Sequence, residues 1–156
     1  NCGRTIGAAY HHARVGHNCR LDEIQAALLR VKLRRLQGWT QSRRRLAAQY
    51  HEGLKGLPLR LPPLGDGDTA PSFHLLTVRT ERRDALAAHL KAQGIGCGVY
   101  YPIPVHLQPA YAATGARAPL PVSEAASREA LCLPMFAELL ESDVNRVCDA
   151  VRRFFR

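Results

Sequence analysis

The chain has 156 residues, 46% of them hydrophobic and 22% charged, and 22 Lys and Arg against 13 Asp and Glu give a formal net charge of +9. These totals suit one globular domain, or a domain with an extension, that buries its own core. No apolar run approaches the ~18 residues of a membrane helix, and no charged-then-apolar leader follows Asn1, so the expectation is a soluble, cytoplasmic protein.

Five cysteines, at 2, 19, 97, 132 and 148, are widely spaced and contain no C-x-x-C pair. Neither a disulfide framework nor a zinc site is signalled, and reduced thiols are expected. The basic excess is almost all arginine, with Lys32, Lys55 and Lys91 the three lysines. Such a surface suits nucleic acid, a membrane or small acidic ligands; the alternative is that arginine simply occupies solvated helix faces. No aromatic interleaving or nucleic-acid motif accompanies the charge.

Residues 1–15 have little periodicity and read as loop. His11, His12 and His17 are of metal-ligating type, but they lack a third ligand at a set spacing and no metal site is expected. A turn through Gly16 and Asn18 then feeds a helix over residues 21–36. Leu21, Ile24, Leu28 and Val31 form one apolar stripe, and Ala26, Leu29, Leu33 and Leu36 form a second, so this helix is expected to be covered on two sides. Asp22 and Glu23 complement the positive end of the helix dipole, and unpaired N–H groups at such a start suit phosphate.

Gly38 reads as a break before a second helix over 39–54, with Leu46, Ala47, Tyr50 and Leu54 inward. Arg43, Arg44 and Arg45 spread around that helix; some are expected to pair or bind anions and most to be solvated. The Pro- and Gly-dense stretch 56–71 is a connection with a possible short strand at 59–61. Residues 72–80 read as a strand carrying His74, whose expected role is that of a core histidine. Thr80 is the expected N-cap of a helix over 81–93, with Leu86 and Leu90 inward and Gly94 as its stop. Residues 97–101 read as a second strand ended by Pro102 and Pro104. A short helix at 106–113, a helix at 122–131, a third strand at 132–135 and a last helix at 142–155, with Val144, Val147, Cys148, Val151 and Phe155 on one face, complete the chain. The fold class is therefore α+β: two long connecting helices, then a small, mainly antiparallel sheet covered by helices. The division expected is residues 1–56 as loop and connecting helices and 57–156 as a small domain.

Three blocks carry a family resemblance. Gly16-x-Asn18-x-Arg20-Leu21-Asp22-Glu23-Ile24-Gln25-Ala26-Ala27 comes first. Tyr101-Pro102-Ile103-Pro104-Val105-His106-Leu107-Gln108-Pro109-Ala110-Tyr111 follows, and Leu131-Cys132-Leu133-Pro134-Met135-Phe136 is last. In this order they resemble the C-terminal portion of the DegT/DnrJ/StrS sugar-nucleotide aminotransferases, enzymes of the aspartate-aminotransferase-like fold type I that use pyridoxal 5′-phosphate. The resemblance implies an amino-group transfer, with glutamate as donor, to a keto group of a nucleotide-linked sugar. A cyclitol or another ketone is the alternative acceptor, and a basic nucleic-acid-binding module is the alternative outside enzymes.

It also implies that the Schiff-base lysine and the pyridine-pairing aspartate lie upstream of the first block. Lys32, Lys55 and Lys91 sit in or at the ends of predicted helices, so this chain alone is expected to be inactive. Asn18 is implied to reach across a two-fold homodimer to the cofactor phosphate of the partner subunit; its other reading is a helix cap or turn residue. Arg20 either assists at the phosphate or pairs with Asp22 or Glu23. His106 either touches substrate or makes a structural hydrogen bond. Tyr100 stands where many relatives have histidine, beside the same candidate substrate site.

Overall fold

The computed structural model describes residues 9–16, 20–66, 69–114 and 118–156. Its dominant element is a helix of 31 residues, α1 (Glu23–Gly53), about 46 Å long at 1.5 Å per residue. Asp22 caps it: the extended backbone there lets Oδ1 accept the Gln25 N–H at 2.7 Å, satisfying one of the unpaired donors of the first turn. The expected break at Gly38 does not occur. A glycine inside a helix costs about 1 kcal/mol relative to alanine, too little to interrupt the Leu-, Arg- and Gln-rich turns around it, and no proline stands nearby to force a stop.

The two halves of α1 have opposite surroundings. Leu46, Ala47 and Tyr50, with Leu54 just past its end, are fully buried as their spacing predicts. Ile24, Leu28, Leu29, Val31, Leu33 and Leu36 are all exposed. The two apolar stripes of the first half, expected to be covered on both sides, are therefore bare in this chain.

Two strands, β1 (Leu76–Arg79) and β2 (Ala130–Leu133), pair antiparallel with Val78 opposite Leu131. Single bridges extend the sheet on both flanks, Arg60 to Arg79 and Gly98 to Cys132. The predicted strand over 97–101 thus shrinks to one paired residue. After Gly98 the chain carries Pro102 and Pro104, which have no N–H to donate, and the Tyr100 ring folds back over Gly98, where a Cβ would lie 2.7 Å from its edge. The third strand starts earlier than expected, at Ala130, and ends before Pro134. The first is shorter than expected and leaves His74 outside it, exposed instead of in the core.

Helices α2 (Arg83–Ala92), α3 (Pro121–Glu129) and α4 (Glu141–Phe155) follow the predicted order. Thr80 is not the cap of α2. Arg82 occupies that position without a side-chain bond, while Thr80 is buried and its Oγ1 accepts the Arg82 N–H at 3.3 Å. Gly94 ends the helix with φ +68, the left-handed conformation that glycine adopts without steric cost. The predicted helix at 106–113 is two short 3-10 segments, Val105–Leu107 and Pro109–Thr114.

The core lies where α4 meets α1 and α2 over the sheet. Leu86 and Leu90 of α2 and Val144, Val147, Cys148 and Val151 of α4 enter it on their expected faces; full burial of one such aliphatic side chain stabilises by about 1.5–3 kcal/mol. Tyr50 joins the core because its hydroxyl donates to the Pro134 carbonyl at 2.9 Å. Burial raises its pKa well above the ordinary phenol value, with Cys148 and Asp143 adding smaller effects.

The arginine run is not idle. Arg44 Nε and Nη2 donate to the Pro71 and Ala70 carbonyls at 2.9 and 2.7 Å, and Arg43 Nε donates to the Ser72 carbonyl at 3.0 Å. These bonds hold the entry to β1, where buried Phe73 has φ +47. Arg45 lies 3.5 Å from Glu141 on the surface.

Candidate active-site cleft

The stretch between Gly98 and α3 shapes a cleft. Pro104, the 3-10 turn at Val105–Leu107 and the first turns of α3 bring Tyr101, Val105, His106, Tyr111, Leu120 and Ser123 around a cavity of about 670 Å³. Pro121 starts α3, its fixed φ suiting the first helical position. His106 is largely buried, and its Nε2 lies 3.2 Å from Glu124 Oε1. The same oxygen accepts the Leu120 N–H at 3.0 Å. That backbone bond, then the His106 bond, holds the Glu124 carboxyl below its ordinary range. The structural reading of His106 finds its partner in Glu124, and the same ring lies on the wall of the cleft.

A second cavity of about 350 Å³ adjoins the first and shares Tyr101, Val105 and Tyr111 with it. Its other wall is the loop 9–16, which supplies Tyr10, His12 and Arg14. Gln108 ties that loop down with both ends of its amide: Nε2 donates to the Tyr10 carbonyl at 2.9 Å, and Oε1 accepts the His12 N–H at 3.1 Å. The Ala110 N–H donates to the His12 carbonyl at 2.8 Å. Tyr10 stacks edge-on against Tyr100 and Tyr101, with centroids 6.1 and 5.6 Å away.

The residues singled out in the sequence separate here. His106 lines the cleft. Tyr100 lines neither cavity; it is exposed and packs on Tyr10, Tyr101 and Gly98. Asn18 and His17 lie outside the described residues. Arg20 is exposed and makes no ion pair with Asp22 or Glu23 among them. Asp22 holds the cap position of α1. Four residues of the site, Tyr101, Gln108, Tyr111 and Glu124, had no assigned role in the sequence. Three of them belong to the second motif block, which was the available signal; Glu124 had none.

Lys32, Lys55 and Lys91 are all exposed, and none lines either cavity. Cys97, Cys132 and Cys148 are free thiols. No described helix is long and apolar enough to cross a membrane, and no group of three metal-ligating side chains converges among the described residues.

An α+β domain with this cleft and these motif blocks belongs to the DegT/DnrJ/EryC1/StrS aminotransferase family, whose model matches residues 1–152. The chain is 48% identical over 146 residues to the dTDP-3-amino-3,4,6-trideoxy-alpha-D-glucose transaminase of Streptomyces venezuelae, covering 93% of this chain and 38% of that protein. Its fold matches the crystal structure of S. venezuelae DesV in complex with a ketimine intermediate, at TM-score 0.82 and 47% identity over 96% of this chain and 41% of that one. It also matches ntda of Bacillus subtilis with bound cofactor PMP, at TM-score 0.75 and 25% identity over 99% of this chain and 37% of that one. The chain spans about two-fifths of the length of these relatives.

Proposed function

We propose that this chain is the C-terminal part of a cytoplasmic, homodimeric aminotransferase that uses pyridoxal 5′-phosphate to move an amino group, with glutamate as donor, onto a keto group of a nucleotide-linked sugar. The family match over nearly the whole chain carries this reading, and the 48% identity to a dTDP-sugar transaminase narrows it to sugar substrates. The cofactor supplies the electron sink for breaking the C–H bond of the amino donor. The chain's own part is substrate-side: the Tyr101–Tyr111 cleft offers apolar and aromatic surface, His106 stands on its wall, and Glu124 fixes the His106 ring. Asn18 and Arg20 are assigned to the cofactor phosphate, across the two-fold axis.

The bare apolar stripes of α1 are consistent with that assembly, because a helix with two exposed apolar faces requires cover in water. Free thiols suit a reducing compartment.

The protein expressed from the complete reading frame is given cofactor, glutamate and a panel of keto-sugar nucleotides. Formation of 2-oxoglutarate with at least one of them is the expected result. No turnover with any nucleotide-linked sugar, alongside turnover of a free cyclitol ketone, would move the assignment to the alternative substrate class.

A further inference from the structure

A third cavity, of about 450 Å³, opens where the end of β1 meets the start of α2 and the last turn of α4, and it shares no residue with the two cavities of the cleft. Leu57, Leu59 and Phe155 give it an apolar wall, and charges of both signs stand around that wall. Arg79 Nε and Nη2 both donate to Glu129 Oε2, at 3.1 and 2.9 Å, so this pair neutralises itself. Arg60 and Glu81 are exposed and offset one another in sign. That leaves Arg82. Its main-chain N–H is bonded to Thr80, but among the described residues its guanidinium makes no ion pair and donates no hydrogen bond.

An exposed arginine without a partner is ordinary; one whose head group is fixed in place is not. Arg82 Cζ lies 4.2 Å from the Phe154 ring centroid and 5.5 Å from that of Phe155, within the reach of cation–π attraction. The two rings are themselves locked edge to face, 4.9 Å apart at 81°, and His89 packs on Phe154 with centroids 5.4 Å apart. A guanidinium held in this way keeps its charge and its planar fork of N–H donors, and it loses little further rotamer freedom when an anion arrives.

We propose that this cavity binds a small organic monocarboxylate, with the carboxylate on the Arg82 guanidinium and the hydrocarbon body against Leu57, Leu59 and Phe155, and that Phe154 is the positioning residue that holds Arg82 there. The charge balance selects the ligand. Two carboxylates balance two of the three arginines on the wall, so one positive charge is left over, and one guanidinium fork matches one carboxylate. A phosphate would bring further negative charge toward Glu81 and Glu129 with no spare cation to meet it. The apolar wall adds hydrocarbon burial that an inorganic anion does not gain. The assignment stands apart from the aminotransferase reading and does not depend on it.

The test titrates hydrocinnamate, its neutral amide hydrocinnamamide and inorganic phosphate into the 156-residue chain, read by NMR of the Leu57 and Leu59 methyl groups and the Arg82 Nε–H. The acid should bind about tenfold more tightly than the amide, and phosphate more weakly than the acid. Arg82→Gln should abolish the preference for the acid while leaving amide binding unchanged, and Arg82→Lys should restore part of it. Phe154→Leu keeps apolar bulk but removes the ring under the guanidinium, so it should reduce the preference while the amide still binds. A preference that survives Arg82→Gln would overturn the Arg82 assignment. Equal weakening of acid and amide in Phe154→Leu would overturn the positioning role. Phosphate binding as tightly as the acid would overturn the monocarboxylate class, and an acid that moves neither leucine would overturn the site.

Discussion

A Cβ placed on Gly53 would lie 2.5 Å from Cys148 Sγ and 3.1 Å from its Cβ, so the last turn of α1 and the middle of α4 touch where neither has room to spare. The glycine is there for closeness, because Gly53 belongs to a regular helix and has no positive φ. Gly53→Ala should therefore destabilise the chain by about 1–3 kcal/mol through overpacking, despite alanine's better helix propensity. Urea unfolding measures this. Cys148→Ala removes the clashing sulfur, so the double variant should be more stable than the sum of the single effects predicts.

Burial pushes the Cys148 thiol up to about 11 from an ordinary 9.0, with nearby Arg152 opposing weakly, and Tyr50 shifts in the same direction. Both groups favour their protonated form when folded. The Cys148 contribution is present in full below pH 9 and is lost as pH rises through about 11, because the unfolded chain gives up its proton first, while that of Tyr50, whose ordinary value is 10.0, persists to higher pH. Thermal melts should show stability falling over that window, with a shallower fall in Cys148→Ala. At pH 7.5, iodoacetamide should label Cys148 far more slowly in the native chain than in urea.

Glu124 titrates in the opposite sense. Its carboxyl is held low by the Leu120 N–H and by His106, so its contribution is present above the ordinary value of 4.5 and disappears as pH falls through its folded value. Glu124→Gln should melt below wild type at pH 7, and the gap should close as the pH is lowered below 4.5. A gap that stays constant with pH would show that the charge is irrelevant to the His106–Glu124 pair.

Arg44→Ala should loosen the entry to β1, because two carbonyls, of Ala70 and Pro71, lose their donor together. The loss expected is about 1–2 kcal/mol, within the range for hydrogen bonds to a charged group at a partly exposed site. Amide exchange at Leu76 and Val78 should quicken before that of α4. Arg44→Lys should recover less than half, since one ammonium does not reproduce the fork that reaches both carbonyls.

Local pattern determined a good deal of this protein. The apolar spacing of α4 and of the second half of α1 named the buried residues. Gly94 marked the end of α2, and the three motif blocks identified the family. Each of these depends on residues within a few turns of one another, where periodicity and turn chemistry act directly.

Tertiary structure decided what depends on distant partners. Whether Gly38 breaks a helix is a balance of about 1 kcal/mol, and the surrounding turns settle it. Residues 97–101 have the composition of a strand, yet ladder pairing needs donors and an open neighbour; prolines and the Tyr100 ring remove both. Arg43 and Arg44 looked like solvated charges until the fold brought the carbonyls of residues 70–72 within reach. Glu124 and Gln108 acquire their roles from partners 18 and 98 positions away, and no local spacing rule encodes a hydrogen bond that chain folding alone brings together.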